Sequence, residues 1–123
     1  MEDQDAAAIT EAEWQGLFSA RYVDHELVRA AYADPRLRQL FPWVGMWELH
    51  FSRCIERPWT WDIPYIRPQP NGRFHVEGPS RSESVGKADS VEAAVAMVAG
   101  LLPAGCGPAV LNRDALAAAE SDS

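Results

Sequence analysis

Apolar residues recur at helical spacing in the first part of the chain. Trp14, Leu17 and Phe18 are three and four positions apart, as on the buried side of an amphipathic helix. In the stretch "TEAE", Thr10 and Glu13 form a capping-box pattern, in which each side chain satisfies a free amide of the first helical turn. The sequence therefore predicts a helix that begins at Thr10.

Two further helices are predicted before residue 42. Asp24 precedes a second apolar stripe and is a good N-cap. Asp34 and Pro35 then open a short helical turn, because aspartate caps well and proline suits the first helical position. Pro42 is expected to end this segment. The second stripe consists of Leu27, Val28, Ala31 and Tyr32.

The hydrophobic period changes to two after residue 44. The segment 44–54 alternates as a strand with one buried face does. The predicted inner set is Trp47, Leu49 and Phe51, and the predicted outer set is Met46, Glu48 and His50.

A hairpin and a last helix complete the predicted fold. Asn71-Gly72 lies between two strand-like runs, and both residues tolerate the positive φ of a tight turn. In the run after this turn, Phe74 and Val76 are predicted to face inward, with His75 and Glu77 facing outward. "SESVGKA" is read as a last strand. Asp89 or Ser90 caps a final helix with a wide apolar stripe. That stripe is Val91, Ala94, Val95, Val98, Leu101 and Leu102.

These elements predict an α+β fold in two layers. N-terminal helices are followed by a three- to four-stranded antiparallel meander, and a C-terminal amphipathic helix packs on the sheet. The expected domain spans residues 10–111. Residues 1–9 are read as a disordered acidic head, and residues 112–123 as an acidic tail of low information content.

Composition and charge narrow the class of protein. The chain is 47% hydrophobic, which is ordinary for a globular domain. The net charge of −7 comes from residues 1–13 and 113–123, and the segment between them is neutral. A neutral body lacks the basic stripe that nucleic acid requires. No apolar run reaches the roughly 20 residues of a membrane span, and the acidic start resembles no signal peptide. A cytoplasmic protein without nucleic-acid or membrane partners is expected.

The candidate acid–base residues are two histidines and two carboxylates. His50 and His75, with Glu48 or Asp62, have the chemistry for proton transfer without a cofactor. The alternative is two solvent-facing histidines that serve no reaction. Cys106, flanked by glycines, is either an exposed thiol or a small residue in a tight turn. No set of ligands has metal-site spacing, so neither metal nor cofactor is predicted.

The stretch "ERPWTWDIPY" (56–65) concentrates aromatic and proline residues. One interpretation is that Trp59 and Trp61 plug the end of the sheet, where a proline-rich crossover cannot form a regular ladder. The other is a binding surface formed by Trp59, Trp61 and Tyr65 and rimmed by Arg57 and Arg67. The first interpretation is favoured, and the second remains open.

Several blocks of the chain resemble a known family. "LVRAAYADPRLRQLFPWV", "LHFSRC", "DIPYI", "GRFHV" and "GKADSVEAAVAMVAGLLPAGCGPA" occur in this order within residues 14–110. They are similar to conserved blocks of an actinobacterial domain of unknown function whose members are labelled "natural product biosynthesis protein". The chain resembles the C-terminal part of longer members and lacks their additional N-terminal region. The resemblance implies a setting in specialised metabolism and carries over no catalytic residue.

Three functional hypotheses follow. The first is a small accessory or adaptor protein of natural-product biosynthesis that binds a protein or a small molecule through the aromatic–arginine surface. The second is a compact, cofactor-free tailoring enzyme, such as a cyclase or isomerase, that uses the histidines and carboxylates. The third is an immunity-type inhibitor of a toxin. An exposed aromatic patch is also compatible with a homodimer.

Overall fold

A computed structural model describes residues 6–79 and 83–121, with side chains described as far as residue 118. Within these ranges the chain forms five helices and five strands. The helices are α1 (Ala6–Leu17), α2 (His25–Ala33), α3 (Pro35–Arg38), α4 (Val91–Ala99) and α5 (Arg113–Ser121). The strands are β1 (Phe41–Gly45), β2 (Glu48–Ser52), β3 (Tyr65–Pro68), β4 (Phe74–Glu77) and β5 (Ser84–Ala88). The predicted α+β class is confirmed.

The predicted caps of the later helices are confirmed. The Asp24 carboxylate accepts a hydrogen bond from the amide of Leu27 at 3.0 Å and opens α2. The Asp34 carboxylate accepts from the amide of Arg36 at 2.8 Å, with Pro35 at the first position of α3. Ser90 caps α4. In each case a short polar side chain satisfies an amide that has no partner within the helix.

Helix α1 begins at Ala6, so the predicted start at Thr10 is wrong. Thr10 lies inside the helix and is buried. The alanines before Thr10 are the strongest helix formers, and they extend the helix backwards past the capping-box pattern. The first residues of the predicted acidic head, 1–5, lie outside the described part of the chain. At the other end, α5 occupies the segment that we read as a low-information tail.

The sheet is a continuous antiparallel meander in the order β1-β2-β3-β4-β5, one strand more than the predicted maximum. The additional strand arises because the predicted strand 44–54 is folded into a hairpin. Gly45 pairs with Glu48, and Met46 and Trp47 form the two-residue turn between them. Pro42 does not simply end α3, because it lies in β1 at the sheet edge, where a missing amide donor is tolerated.

The two faces of the sheet have different environments. The inner face packs against α1 and α4, α2 packs on α4, and the outer face lies on the opposite side. Leu49, Phe51, Phe74 and Val76 lie in the core as predicted, whereas Trp47 is on the turn and 49% exposed. Within the described residues, no helix combines the length and the apolar character needed to cross a bilayer. Because helices cover the inner face, the outer face is the candidate location for a functional site.

Candidate functional site

Residues 53–64, which we call the tryptophan loop, fold across the outer face beside β1 and β2. The amide of Thr60 donates to the Ser52 hydroxyl at 3.1 Å, and the Thr60 hydroxyl accepts from the amide of Arg53 at 2.9 Å. All three residues are buried. These bonds replace the strand ladder that prolines prevent, and they fix the loop against the sheet.

The C-terminal segment holds the tryptophan loop from outside. The amide of Ile55 donates to the carbonyl of Val110 at 2.9 Å, which forms part of a short bridge beside Cys54. From α5, the guanidinium of Arg113 donates to the carbonyls of Pro58 and Trp59. The segment after residue 109 is therefore a structural clamp on the loop.

Four rings form a stacked column on the outer face. Trp59 stacks on Trp43 with ring centroids 4.9 Å apart, Trp43 on His50 at 4.0 Å, and His50 on Tyr65 at 4.4 Å. Trp61 contacts Trp43 and His50 edge-on at 5.5 and 5.4 Å. Trp43 and His50 are direct cross-strand partners, which is the position where side chains approach most closely. We refer to this set as the aromatic column.

His50 lies inside the aromatic column and not at the surface. It is on the outer face as predicted, but it is only 3% exposed because Trp43, Tyr65 and Trp61 surround it. Its Nε2 lies 3.0 Å from the Glu48 carboxylate, which is also buried. This pair has acid–base chemistry, but the surrounding rings leave no path for a substrate. The prediction of a solvent-facing His50 is wrong.

The other predicted acid–base residues are dispersed. Asp62 pairs with Arg53 at 2.9 Å. His75 lies on β4, two strands from His50, with β3 between them. At about 4.8 Å per strand this separates the two histidines by roughly 10 Å. Glu77 accepts a hydrogen bond from Arg67 at 2.8 Å and lies 3.1 Å from His75. The outer face thus carries two separate histidine–carboxylate clusters.

The structure divides the predicted binding surface. Arg57 lies over the ring of Trp59 at 4.7 Å, and this pair stays at the surface. Trp61 is 47% exposed and borders a neighbouring cleft of about 410 Å³ that also contains Arg53 and Asp62. Tyr65 and Arg67 do not belong to this surface. Tyr65, 1% exposed, is at the inner end of the aromatic column, and Arg67 belongs to the His75 cluster.

A second surface site beside the tryptophan loop is a groove that sequence reasoning missed. It has a volume of about 540 Å³ and lies between the tip of the β1–β2 hairpin and the loop after α1. Trp43 and Trp59 form part of its lining, together with Tyr22, Met46 and Arg57. We call it the hairpin groove. Neither Tyr22 nor Met46 lies in a motif, so no local signal marked them.

Backbone conformation singles out the rim of the hairpin groove. We define this rim as Tyr22 and Met46, which line the groove, and Trp47, which contacts Tyr22 beside it. Tyr22, Met46 and Trp47 have φ angles of 61°, 54° and 68°, and they are the non-glycine residues with positive φ in the described chain. Their side chains are 68%, 86% and 49% exposed. The rings of Tyr22 and Trp47 meet edge to face at 6.0 Å. Large apolar residues rarely adopt this conformation, so the rim combines strain with exposure.

The thiols and metal ligands provide no alternative site in the described residues. No group of three or more histidine, cysteine, aspartate or glutamate side chains converges there. Cys54 is buried. Burial raises the pKa of the Cys106 thiol, so the thiolate that a nucleophile requires is disfavoured. Cys106 itself is half-buried rather than exposed.

Comparison with known proteins gives a family without an activity. The family of unknown function DUF6193 matches residues 8–113, which includes the sheet, the tryptophan loop and the hairpin groove. Searches of the curated proteins and of the solved structures returned no match.

Proposed function

Because this chain belongs to the family of unknown function DUF6193, we propose its function from the geometry of the site. It is a small accessory protein that binds a planar, mostly apolar small molecule bearing an anionic group, and the binding site is the hairpin groove. The setting is specialised metabolism, in line with the sequence resemblance. The aromatic column acts as the rigid floor of the site rather than as a reaction centre.

The observation that carries this proposal is the strained, exposed rim. A left-handed residue other than glycine costs about 1–2 kcal/mol. Met46 and Trp47 bear this cost at the hairpin turn, and Tyr22 bears it in the loop opposite. Asparagine and glycine would form the same turn without strain. Large apolar side chains in their place fit a recognition role, because backbone strain concentrates at ligand sites.

The dimensions and lining of the groove define the ligand class. A volume of about 540 Å³ falls within the range of roughly 300–1,000 Å³ that small-molecule sites occupy. The faces of Trp43 and Trp59 are covered by each other, by His50 and by Arg57, so these two rings present their edges to the groove. Ring edges favour a planar aromatic ligand in edge-to-face contact. Arg21 and Arg57 line the groove with one opposing carboxylate, Glu13. This excess of positive charge favours a ligand with a carboxylate, sulfonate or phosphate.

The test uses 8-anilinonaphthalene-1-sulfonate, a planar aromatic anion whose fluorescence rises in apolar sites. We expect the folded protein to bind it at one site. Arg57→Gln should weaken binding about tenfold, equivalent to ~1.4 kcal/mol, because it removes one of the two cations that line the groove. Met46→Ser should also weaken binding, because it removes apolar rim surface.

Leu101→Ser is the matched control. Leu101 is 51% exposed and apolar like Met46, but it lies after α4 and outside the groove. The Leu101→Ser variant should bind the probe with the same affinity as the unmodified chain. Binding that is indifferent to Arg57 and Met46, or equally sensitive to Leu101, would refute the groove as the site. Native mass spectrometry of the chain from its own cells then identifies the ligand, and a protein in place of a small molecule would contradict the ligand class.

A further inference from the structure

We propose that the outer face carries a second, independent site at β4 and β5, where Ser84 is a nucleophile for acyl transfer from activated carboxylic esters. The carrying observation is the alignment of Ser84, which hydrogen-bonds to His75, with Glu77, whose carboxylate lies within ion-pair distance of the other ring nitrogen of His75. It lies away from the hairpin groove and does not depend on ligand binding there.

Ser84, His75 and Glu77 are arranged in the order of a serine–histidine–carboxylate triad. The Ser84 hydroxyl lies 2.8 Å from Nε2 of His75, and Nδ1 of His75 lies 3.1 Å from the Glu77 carboxylate. The Glu77 oxygen accepts from Arg67 at 2.8 Å as well. Arg67 also approaches Nδ1 at 3.2 Å. Arg67 can only donate, so it bonds Nδ1 in the tautomer that carries the proton on Nε2. The proposal uses the other tautomer, in which the Nδ1 proton lies beside the Glu77 carboxylate and Arg67 bonds Glu77 alone. Nε2 is then free to accept the Ser84 proton, as nucleophilic catalysis requires.

A β-bulge brings Ser84 onto the same face as its partners. Glu77 pairs with Ser84 and Val76 pairs with Gly86, so Val85 is an extra residue in β5. Without it, Ser84 and Lys87 would point to opposite faces, because their spacing is odd. Bulges are frequent beside active sites, where they redirect a side chain. Here the bulge aligns Ser84 with His75.

Burial decreases from Glu77 through His75 to Ser84, which is the order that the chemistry needs. Glu77 is buried, His75 is half-buried and Ser84 is exposed. The carboxylate is thereby held in place by Arg67, while the hydroxyl is open to an incoming ester. Lys87, the cross-strand partner of His75, adds a positively charged side chain to the same face of the sheet.

The reaction balances with water as the only co-reactant. Ser84 Oγ attacks the ester carbonyl carbon while its proton passes to His75 Nε2. The bond from that carbon to the alcohol oxygen then breaks, and the leaving alcohol takes the proton from His75. Water, deprotonated by the same Nε2, attacks the acyl-serine and releases the carboxylic acid and the Ser84 hydroxyl. An open face gives little help to a poor leaving group, so the substrate class is activated esters rather than peptide amides.

The test is acylation of the full chain by p-nitrophenyl acetate. We expect a burst of nitrophenolate and an acetyl group on the Ser84 peptide in mass spectrometry. Ser84→Ala should abolish both, and His75→Gln should slow acylation about a hundredfold, within the usual effect of losing a general base. Ser19→Ala, which removes another exposed serine hydroxyl, should react like the unmodified chain.

Two results would overturn the proposal. One is acetylation confined to lysine or to the N-terminus, at a rate that Ser84→Ala does not change. The other is acetylation of Ser84 at an unchanged rate in a folded His75→Gln variant. That result would show that the contacts of His75 with Ser84 and Glu77 are structural only. If His75→Gln fails to fold, Ser84→Ala still decides, because an exposed hydroxyl contributes little to stability. Binding of 8-anilinonaphthalene-1-sulfonate to the Ser84→Ala variant tests the hairpin groove independently of the acylation.

Discussion

Replacing Trp59 and Trp61 one at a time by alanine distinguishes a structural plug from a binding surface. The two residues are two positions apart in the tryptophan loop, yet they have different surroundings. Trp59 stacks between Trp43 and the Arg57 guanidinium, and its indole donates to the carbonyl of Ile55 at 3.3 Å. Trp61 lies on the edges of two rings and is 47% exposed.

The expected losses follow from buried area. A tryptophan buries up to about 150–250 Å². Trp61 buries about half of this, or ~100 Å², which at ~25 cal/mol per Å² gives about 2.5 kcal/mol. Denatured chains already bury part of that area, which lowers the value to ~2 kcal/mol. Trp59 buries ~150 Å² and adds a hydrogen bond of ~1 kcal/mol, so Trp59→Ala should cost about 4 kcal/mol.

The assay is urea unfolding followed by circular dichroism, because the fluorescence of a five-tryptophan chain changes with each substitution. A domain of this size has a free energy of unfolding of about 5–15 kcal/mol, so we expect both variants to fold. With a slope near 2 kcal/mol per molar urea, the midpoint should fall by ~1 M for Trp61→Ala and ~2 M for Trp59→Ala. Trp61→Phe, which keeps an edge contact, is the control and should lose less than Trp61→Ala.

Equal losses, or a larger loss for Trp61→Ala, would refute this reasoning. The loop would then be held mainly by Trp61, and the aromatic column would not be its anchor. A small loss of stability for Trp61→Ala would indicate that Trp61 is available for binding at the surface, beside the cleft that it shares with Arg53.

Three further predictions concern other parts of the molecule. Glu48→Ala should cost about 3–5 kcal/mol in urea unfolding, because it leaves His50 buried without its carboxylate, and a loss below 1 kcal/mol would contradict the buried pair. The hydrogen bond from Tyr32 lowers the pKa of Glu11, so this contact stabilises the fold above the ordinary carboxyl pKa and is lost as pH falls through the lowered one. Tyr32→Phe should therefore raise the Glu11 pKa in an NMR titration, and an unchanged titration would exclude the contact. Met46→Asn should raise the free energy of unfolding by ~1 kcal/mol relative to Met46→Ala, because asparagine tolerates the left-handed backbone, and equal stabilities would argue against strain at the turn.

Local patterns were sufficient for much of the fold. Asp24, Asp34 and Ser90 open helices as short polar caps do, because their bonds reach only two or three residues along the chain. Asn71-Gly72 marked the β3–β4 turn, where Gly72 has a φ of 80°. The alternation of Phe74 with its neighbours identified the inner face. Such signals depend on contacts within a few residues, so a sequence alone contains them.

The hairpin between β1 and β2 was decided by tertiary structure. Met46 and Trp47 have no turn propensity, and their alternation with Leu49 resembles an unbroken strand. The chain turns there because pairing along the whole of β1 and β2, from Phe41 opposite Ser52 to Gly45 opposite Glu48, outweighs the strain of two residues. That balance sums contacts across two strands and is not visible in either one.

The sequence by itself determined the caps of α2, α3 and α4, the inner face, the α+β class and the residue types available for chemistry. Only the tertiary structure decided where those residues lie. His50 and His75 share the outer face, yet the tryptophan loop buries one and the bulge at Val85 joins the other to Ser84. The physical reason is that exposure and hydrogen-bond partners depend on segments distant in sequence, whereas a period-two pattern specifies only which face a side chain occupies.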